Sequence, residues 1–211
     1  KYRNDTSTGN EEWTTSITPS ATATYSKMYA AYKRTFSATF YYGPAKRYLI
    51  TQTSDEVYYN SNTASVPTST NVTSPAVPEF SEDWTALGWR ADTSDSAATY
   101  ASGATVTAGT NSLYYAVYSR TFTTIFYSGV NKATTKTQTS SEVYYNTNTS
   151  STPTAGNVTT PTPAAISNWT ALGWRNDTTA GAKEFDTGGT VSTSTASYYA
   201  VYSRTLTVSY N

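Results

Sequence analysis

The sequence predicts a mainly β protein made of tandem repeats of about 85 residues, and three observations predict it. Residues 114–127, YYAVYSRTFTTIFY, contain no Gly and no Pro and consist almost wholly of β-branched and aromatic side chains. Such a run favours extended backbone. The same run recurs at residues 28–41 (MYAAYKRTFSATFY) and 198–210 (YYAVYSRTLTVSY). Its Arg-Thr marker falls at Arg34, Arg120 and Arg204, at spacings of 86 and 84 residues. Polarity, finally, comes from 44 Thr and 27 Ser rather than from charge, and Tyr is abundant at 20 residues. That composition suits pleated, half-exposed sheets.

The Arg markers divide the chain into four stretches. Residues 1–33 read as the C-terminal part of a preceding repeat, because Tyr2-Arg3-Asn4-Asp5-Thr6 matches Trp89-Arg90-Ala91-Asp92-Thr93 and Trp174-Arg175-Asn176-Asp177-Thr178. Residues 34–119 and 120–203 read as full repeats, and residues 204–211 as the first strand of a following one. Both ends are out of phase with the repeat, as expected of a window on a longer array.

Each repeat opens on an alternating strand. Phe36, Ala38 and Phe40 share one face, as do Leu206, Val208 and Tyr210, which implies one buried and one wet side. A Gly-containing turn follows at Tyr42-Gly43-Pro44 and Ser128-Gly129-Val130. Residues 51–60 and 137–146 read two ways. Thr53 with Glu56, and Thr139 with Glu142, have the spacing of a capping box that starts a helix; Val-Tyr-Tyr among threonines prefers a strand, and the strand reading is the one taken. Pro67, Pro75 and Pro78, with Pro153, Pro161 and Pro163, exclude regular helix from residues 61–80 and 147–166. These stretches read as packed surface connections with short extended pieces. Trp84-Thr85-Ala86-Leu87-Gly88-Trp89-Arg90, identical to residues 169–175, reads as a strand with Trp84, Ala86 and Gly88 on one face and Thr85, Leu87 and Trp89 on the other. Tyr100/Phe185 and Val106/Val191 supply further buried positions.

On these residues the chain resembles the internalin-type B-repeats, also called the Listeria–Bacteroides repeat. The matching features are Gly88-Trp89 and Gly173-Trp174 in mid-repeat, and the closing strands Tyr114-Tyr115-Ala116-Val117-Tyr118 and Tyr198-Tyr199-Ala200-Val201-Tyr202. The chain lacks that family's Asn-Gly-Gly after the first strand and has a longer Thr/Pro-rich middle. The resemblance implies small β-grasp-like domains in tandem on a bacterial surface protein. With the closing strand of one repeat running unbroken into the next, the expectation is an elongated rod.

Lys+Arg and Asp+Glu both number 14, so the net charge is zero and no basic field draws nucleic acid or an anionic membrane. There is no Cys to form disulfides, and no apolar run approaches the ~18 residues of a membrane span. Without His or Cys the commonest general base, nucleophile and metal ligands are missing. Carboxylates recur at Glu56/Glu142 and Asp92/Asp177, but a cap or strand edge and a turn explain them better than a glycosidase pair in every repeat. No acidic run has the form of a calcium loop. We therefore expect no catalysis, no cofactor and no metal.

Candidate ligand-binding residues are Trp89, Arg90, Trp174 and Arg175, since a sugar site needs an aromatic face and polar neighbours; the competing reading is that these tryptophans plug the core. The joint between repeats is assigned to Tyr118, Arg120, Phe122, Tyr202, Arg204 and Leu206, with the arginines bridging repeats or stacking on tyrosine. Lys46 and Lys132 are candidates for Lys–Asn isopeptide crosslinks to Asn60/Asn146 or Asn71/Asn157, with Glu56/Glu142 assisting. Asn-x-Ser/Thr sequons stand at Asn4, Asn71, Asn148, Asn157, Asn168 and Asn176.

The expected function is a structural stalk or spacer in an extracellular, cell-surface adhesin-like protein. Its partners would be neighbouring repeats of the same chain, with glycans or a host surface met through other domains. The alternatives are a carbohydrate-binding module using the Trp-Arg sites, and a homopolymeric filament or surface-layer subunit.

Overall fold

A computed structural model describes residues 2–3 and 28–210. Most of the partial repeat expected over residues 1–33 therefore lies outside the described residues, including Asn4, Asp5 and Thr6, as does Asn211. The chain is mainly β. In order, the strands are β1 (Tyr2–Arg3), β2 (Tyr29–Arg34), β3 (Ser37–Tyr42), β4 (Tyr48–Thr53), β5 (Val57–Asn60) and β6 (Ser69–Thr73). They continue with β7 (Thr85–Arg90), β8 (Thr105–Gly109), β9 (Leu113–Arg120), β10 (Thr123–Ser128) and β11 (Thr134–Thr139). The last five are β12 (Val143–Asn146), β13 (Asn157–Thr159), β14 (Thr170–Arg175), β15 (Thr190–Ser192) and β16 (Ser197–Ser203). Among the described residues the helical elements are two single 3-10 turns, Pro44–Lys46 and Val130–Lys132. The Thr53/Glu56 and Thr139/Glu142 spacings start no helix; they mark the gaps before β5 and β12, in line with the strand reading.

The chain forms two compact units, Lys1–Tyr118 with Asn146–Ser151, and Ser119–Tyr145 with Thr152–Asn211. In the first, a sheet runs in the order β4-β3-β9 with β7 also paired to β9. In the second, the order is β11-β10-β16-β14. The central pair is parallel in both, with Phe40 opposite Tyr114 and Phe126 opposite Tyr198. A two-stranded ribbon completes each unit: β6 with β8, placing Val72 opposite Val106, and β13 with β15, placing Val158 opposite Val191. β6 and β13 are the extended pieces expected in the Pro-rich middle.

The cores follow from period-two burial. Phe36, Ala38 and Phe40 are buried, with Trp89, Val106 and Tyr114. Phe126, Val158, Trp174, Val191 and Tyr198 form the equivalent cluster in the second unit, flanked by Phe185 and Ala200. The rings meet in the same way twice. Phe40 lies edge-on to Trp89 at 4.9 Å and stacks on Tyr114 at 5.0 Å. Phe126 lies edge-on to Trp174 at 4.9 Å and stacks on Tyr198 at 5.1 Å. Such pairs add about 0.5–1.5 kcal/mol each beyond the area they bury.

Three expectations are corrected here. The run over residues 28–41 is not one strand: β2 ends at Arg34 and β3 begins at Ser37. Phe36 N–H donates to Ser54 Oγ (3.0 Å) while Ser54 N–H donates to Phe36 O (2.9 Å). This clamp turns the backbone out of the sheet β2 makes with β5 and into the sheet β3 makes with β4. Phe122 and Ser140 repeat it at 3.0 and 2.8 Å between β9 and β10. The second correction concerns the Gly-Trp strand, whose strict alternation fails: Gly88 and Trp89 are both buried, as are Gly173 and Trp174. A register shift between Ala171 and Gly173 against β16 turns two successive residues inward. Residues 204–210 form no strand, since they have no ladder partner among the described residues; Leu206, Val208 and Tyr210 are exposed.

Candidate functional site

The recurring Trp-Arg-x-Asp segment is where aromatic and charged side chains meet. Trp89 and Trp174 are fully buried. Trp89 Nε1 donates to Pro75 O and Trp174 Nε1 to Pro161 O, both at 2.8 Å. Each indole thus ties the Pro-rich connection to the core, and neither ring offers a face to a ligand.

The adjacent arginines form forks. Arg90 donates through Nε and Nη2 to the two Asp92 oxygens, both at 2.7 Å, and through Nη1 to Ala97 O at 2.6 Å. Arg175 repeats this on Asp177 at 2.9 Å and on Ala182 O at 2.7 Å, and pairs with Glu184 at 2.7 Å. Asp92 also accepts from the Ser94 N–H (3.0 Å) and hydroxyl (2.6 Å), and Asp177 from the Thr179 N–H (2.9 Å), the form of an Asx turn. The Arg175 hydrogen bonds hold the Asp177 carboxyl down at about 2, with the Thr179 N–H adding to the effect. Arg90, then Ser94, holds Asp92 well below the usual carboxylate range. The guanidinium pKa of each arginine is raised in turn by its Asp partner. This is a bidentate turn clamp.

Glu56 is held by Lys33 at 2.5 Å and by the Tyr58 hydroxyl at 2.7 Å, which lower its pKa in that order. Glu142 accepts from Ser119 (3.4 Å) and Tyr144 (2.8 Å). Within the first unit, Glu56 and Asp92 answer to separate donors and share none. Among the described residues no group of three His, Cys, Asp or Glu side chains is placed to hold a metal ion. No helix of the described residues is long and apolar enough to cross a membrane.

Tyr118 is buried, meets Phe80 edge-on at 4.5 Å and donates to Pro78 O at 3.0 Å. Tyr202 donates to Ala164 O at 2.7 Å and accepts from Gly129 N–H at 3.0 Å. The arginines stack on rings other than tyrosine: Arg34 on Phe36 at 4.4 Å, Arg120 on Phe122 at 4.8 Å, and Arg204 on Trp169 at 4.9 Å. Leu206 is exposed.

Lys46 and Lys132 are exposed and lie over tyrosines. Lys46 Nζ is 5.8 Å from the Tyr115 ring, and Lys132 Nζ is 5.4 and 4.8 Å from the Tyr127 and Tyr199 rings. Asn146 is buried with its amide nitrogen donated to Asp92 O (3.0 Å) and Ser94 O (3.1 Å), so it is already spent on backbone. Asn60 Oδ1 accepts from Asn62 N–H at 2.9 Å.

Two features escaped the sequence reading. Tyr41 stacks on Tyr115 at 5.9 Å and Tyr127 on Tyr199 at 5.7 Å, making a lysine-capped tyrosine pair in each unit; the shared spacing of the tyrosines was the available signal. Trp169 is 41% exposed although its counterpart Trp84 is 6% exposed, a difference that identical segments could not announce. No family model matches the chain, and neither a curated protein nor a solved structure is significantly similar to it.

Proposed function

We propose that this chain is a structural spacer: tandem β repeats, β-grasp-like in the sense the B-repeat resemblance implies, strung as a stalk in an extracellular cell-surface protein. One observation carries the reading. The most chemically capable residues of the repeat, Trp-Arg-x-Asp, are spent twice on the same internal bonds. The indole ties down a prolyl carbonyl and the guanidinium locks a turn. What the repeat duplicates is a scaffold, as expected of units whose stability sums along an array. Neighbouring repeats are the partners this role requires. A series of one, two and three repeats tests it. A stalk gives a constant increment in maximum scattering dimension per repeat; an increment that shrinks as repeats are added overturns it.

A filament subunit is the second reading. It is favoured by the alternating exposed side chains of Leu206, Val208 and Tyr210 beside the buried equivalents Phe36, Ala38 and Phe40. A mass that rises with concentration would support it, and a constant monomer mass would remove it.

A further inference from the structure

We propose that a groove in the second unit binds a neutral glycan, with Trp169 as its stacking platform. The groove has a volume of about 410 Å3, and its walls include Trp169, Tyr199, Arg175, Asp177, Thr178 and Thr179. That is within the range of about 300–1,000 Å3 common to small-molecule sites. It pairs aromatic surface with hydroxyl and carboxylate groups, which suits a pyranose: C–H groups of the ring lie on an aromatic face while its hydroxyls find donors and acceptors at the edge. The site is distinct from the buried Trp174.

The open platform goes with two differences between the repeats: Phe80-Ser81-Glu82-Asp83-Trp84 of the first is Ile166-Ser167-Asn168-Trp169 in the second, one residue shorter and without the Phe. In the first unit, Phe80 stacks on Trp84 at 6.3 Å and Trp84 is only 6% exposed. Ile166 stands in the corresponding place in the second unit and has no ring to lay on Trp169, which is 41% exposed. The platform is nevertheless held. Trp169 N–H donates to Ile166 O at 3.1 Å, Asn168 takes the tight turn at φ 63°, and the Arg204 guanidinium rides over the ring at 4.9 Å. A fixed aromatic that keeps a free surface loses little entropy on binding.

Charge selects the ligand. Arg175, the one cation among the groove walls, is already paired to Asp177 and Glu184. Lys132 sits over the Tyr199 ring. Arg204 is stacked on the Trp169 ring itself, so each cation here is already engaged by a carboxylate or a ring, and a neutral sugar is the occupant.

The test is calorimetric titration of the whole chain with cellohexaose, maltohexaose, mannohexaose and chitohexaose, with tryptophan fluorescence in parallel. At least one should bind saturably, with Kd below about 1 mM. Trp169→Ala should weaken that binding at least tenfold, and Trp169→Tyr less. Thr179→Val, which keeps the backbone N–H bonded to Asp177, should weaken it several-fold with an unchanged circular dichroism spectrum. Failure of all four sugars overturns the proposal. So does equal binding by Trp169→Ala, or binding confined to an anionic polymer such as dextran sulfate.

Discussion

A Cβ placed on Gly88 would lie 2.3 Å from the carbonyl oxygen of Tyr100, and one on Gly173 would lie 2.3 Å from the carbonyl oxygen of Phe185. The glycines have φ of 147° and 145°, outside the range of ordinary side-chain-bearing residues. Their absence of a side chain lets the bulged strand approach the next segment closely. Trp89 N–H thus reaches Tyr100 O at 2.7 Å and Trp174 N–H reaches Phe185 O at 2.9 Å. Gly88→Ala and Gly173→Ala should each destabilise by about 2 kcal/mol or more, since the clash is with backbone that cannot swing aside. Urea unfolding measures it; a loss under about 0.5 kcal/mol would show that the bulge relaxes easily.

The indole bonds give a second prediction. Trp174→Ala empties the centre of its cluster and leaves Pro161 O without its donor, so it should cost about 3–5 kcal/mol. Trp174→Phe keeps much of the ring but orphans the carbonyl and should cost about 1–3 kcal/mol. Thermal and urea unfolding of the two variants separate packing from hydrogen bonding.

Acid sensitivity follows from the arginine forks. Asp177 is held at about 2 when folded, below the ordinary aspartate value of about 3.9. The folded state therefore binds fewer protons than the unfolded one. The stabilisation is fully present above about pH 4 and is lost as pH falls from there through about 2. Asp92 behaves alike, with its folded pKa depressed by Arg90 and Ser94. Arg175→Met should flatten the pH dependence of the urea midpoint in that window. An unchanged slope would mean the fork does not persist in solution.

The hairpin turns differ in strain. Ala45 and Asn131 occupy equivalent positions, both at φ 52°, followed by Lys46 at 59° and Lys132 at 61°. Asn adopts this left-handed region at less cost than Ala. Ala45→Asn should stabilise by about 0.5–1 kcal/mol, and Asn131→Ala should destabilise by a similar amount. Melting temperatures of the pair check the opposite signs.

How far the sequence could be read depended on how local each cause was. Alternation at Phe36, Ala38 and Phe40 depends only on neighbours along the strand, and it placed a buried face correctly. The Gly-Trp dipeptide was visible, but its reason was not, because it lies in the close approach of the Tyr100 and Phe185 carbonyls, which no local pattern announces. The break in the run over residues 28–41 was hidden for a similar cause. Ser54 and Ser140 look like any two of 27 serines until their hydroxyls are seen to accept the Phe36 and Phe122 N–H groups. For the Trp-Arg pair, the sequence offered a core plug first and a sugar platform as the lesser reading. Burial distinguishes them, with Trp89 and Trp174 wholly enclosed and Trp169 open.

The stalk itself is most directly tested by small-angle scattering with light-scattering mass on the 211-residue chain. A compact monomer of this length has a radius of gyration of roughly 17 Å. The spacer reading predicts a monomer well above that value, with a rod-like profile that does not change with concentration. A monomer at roughly 17 Å would contradict it.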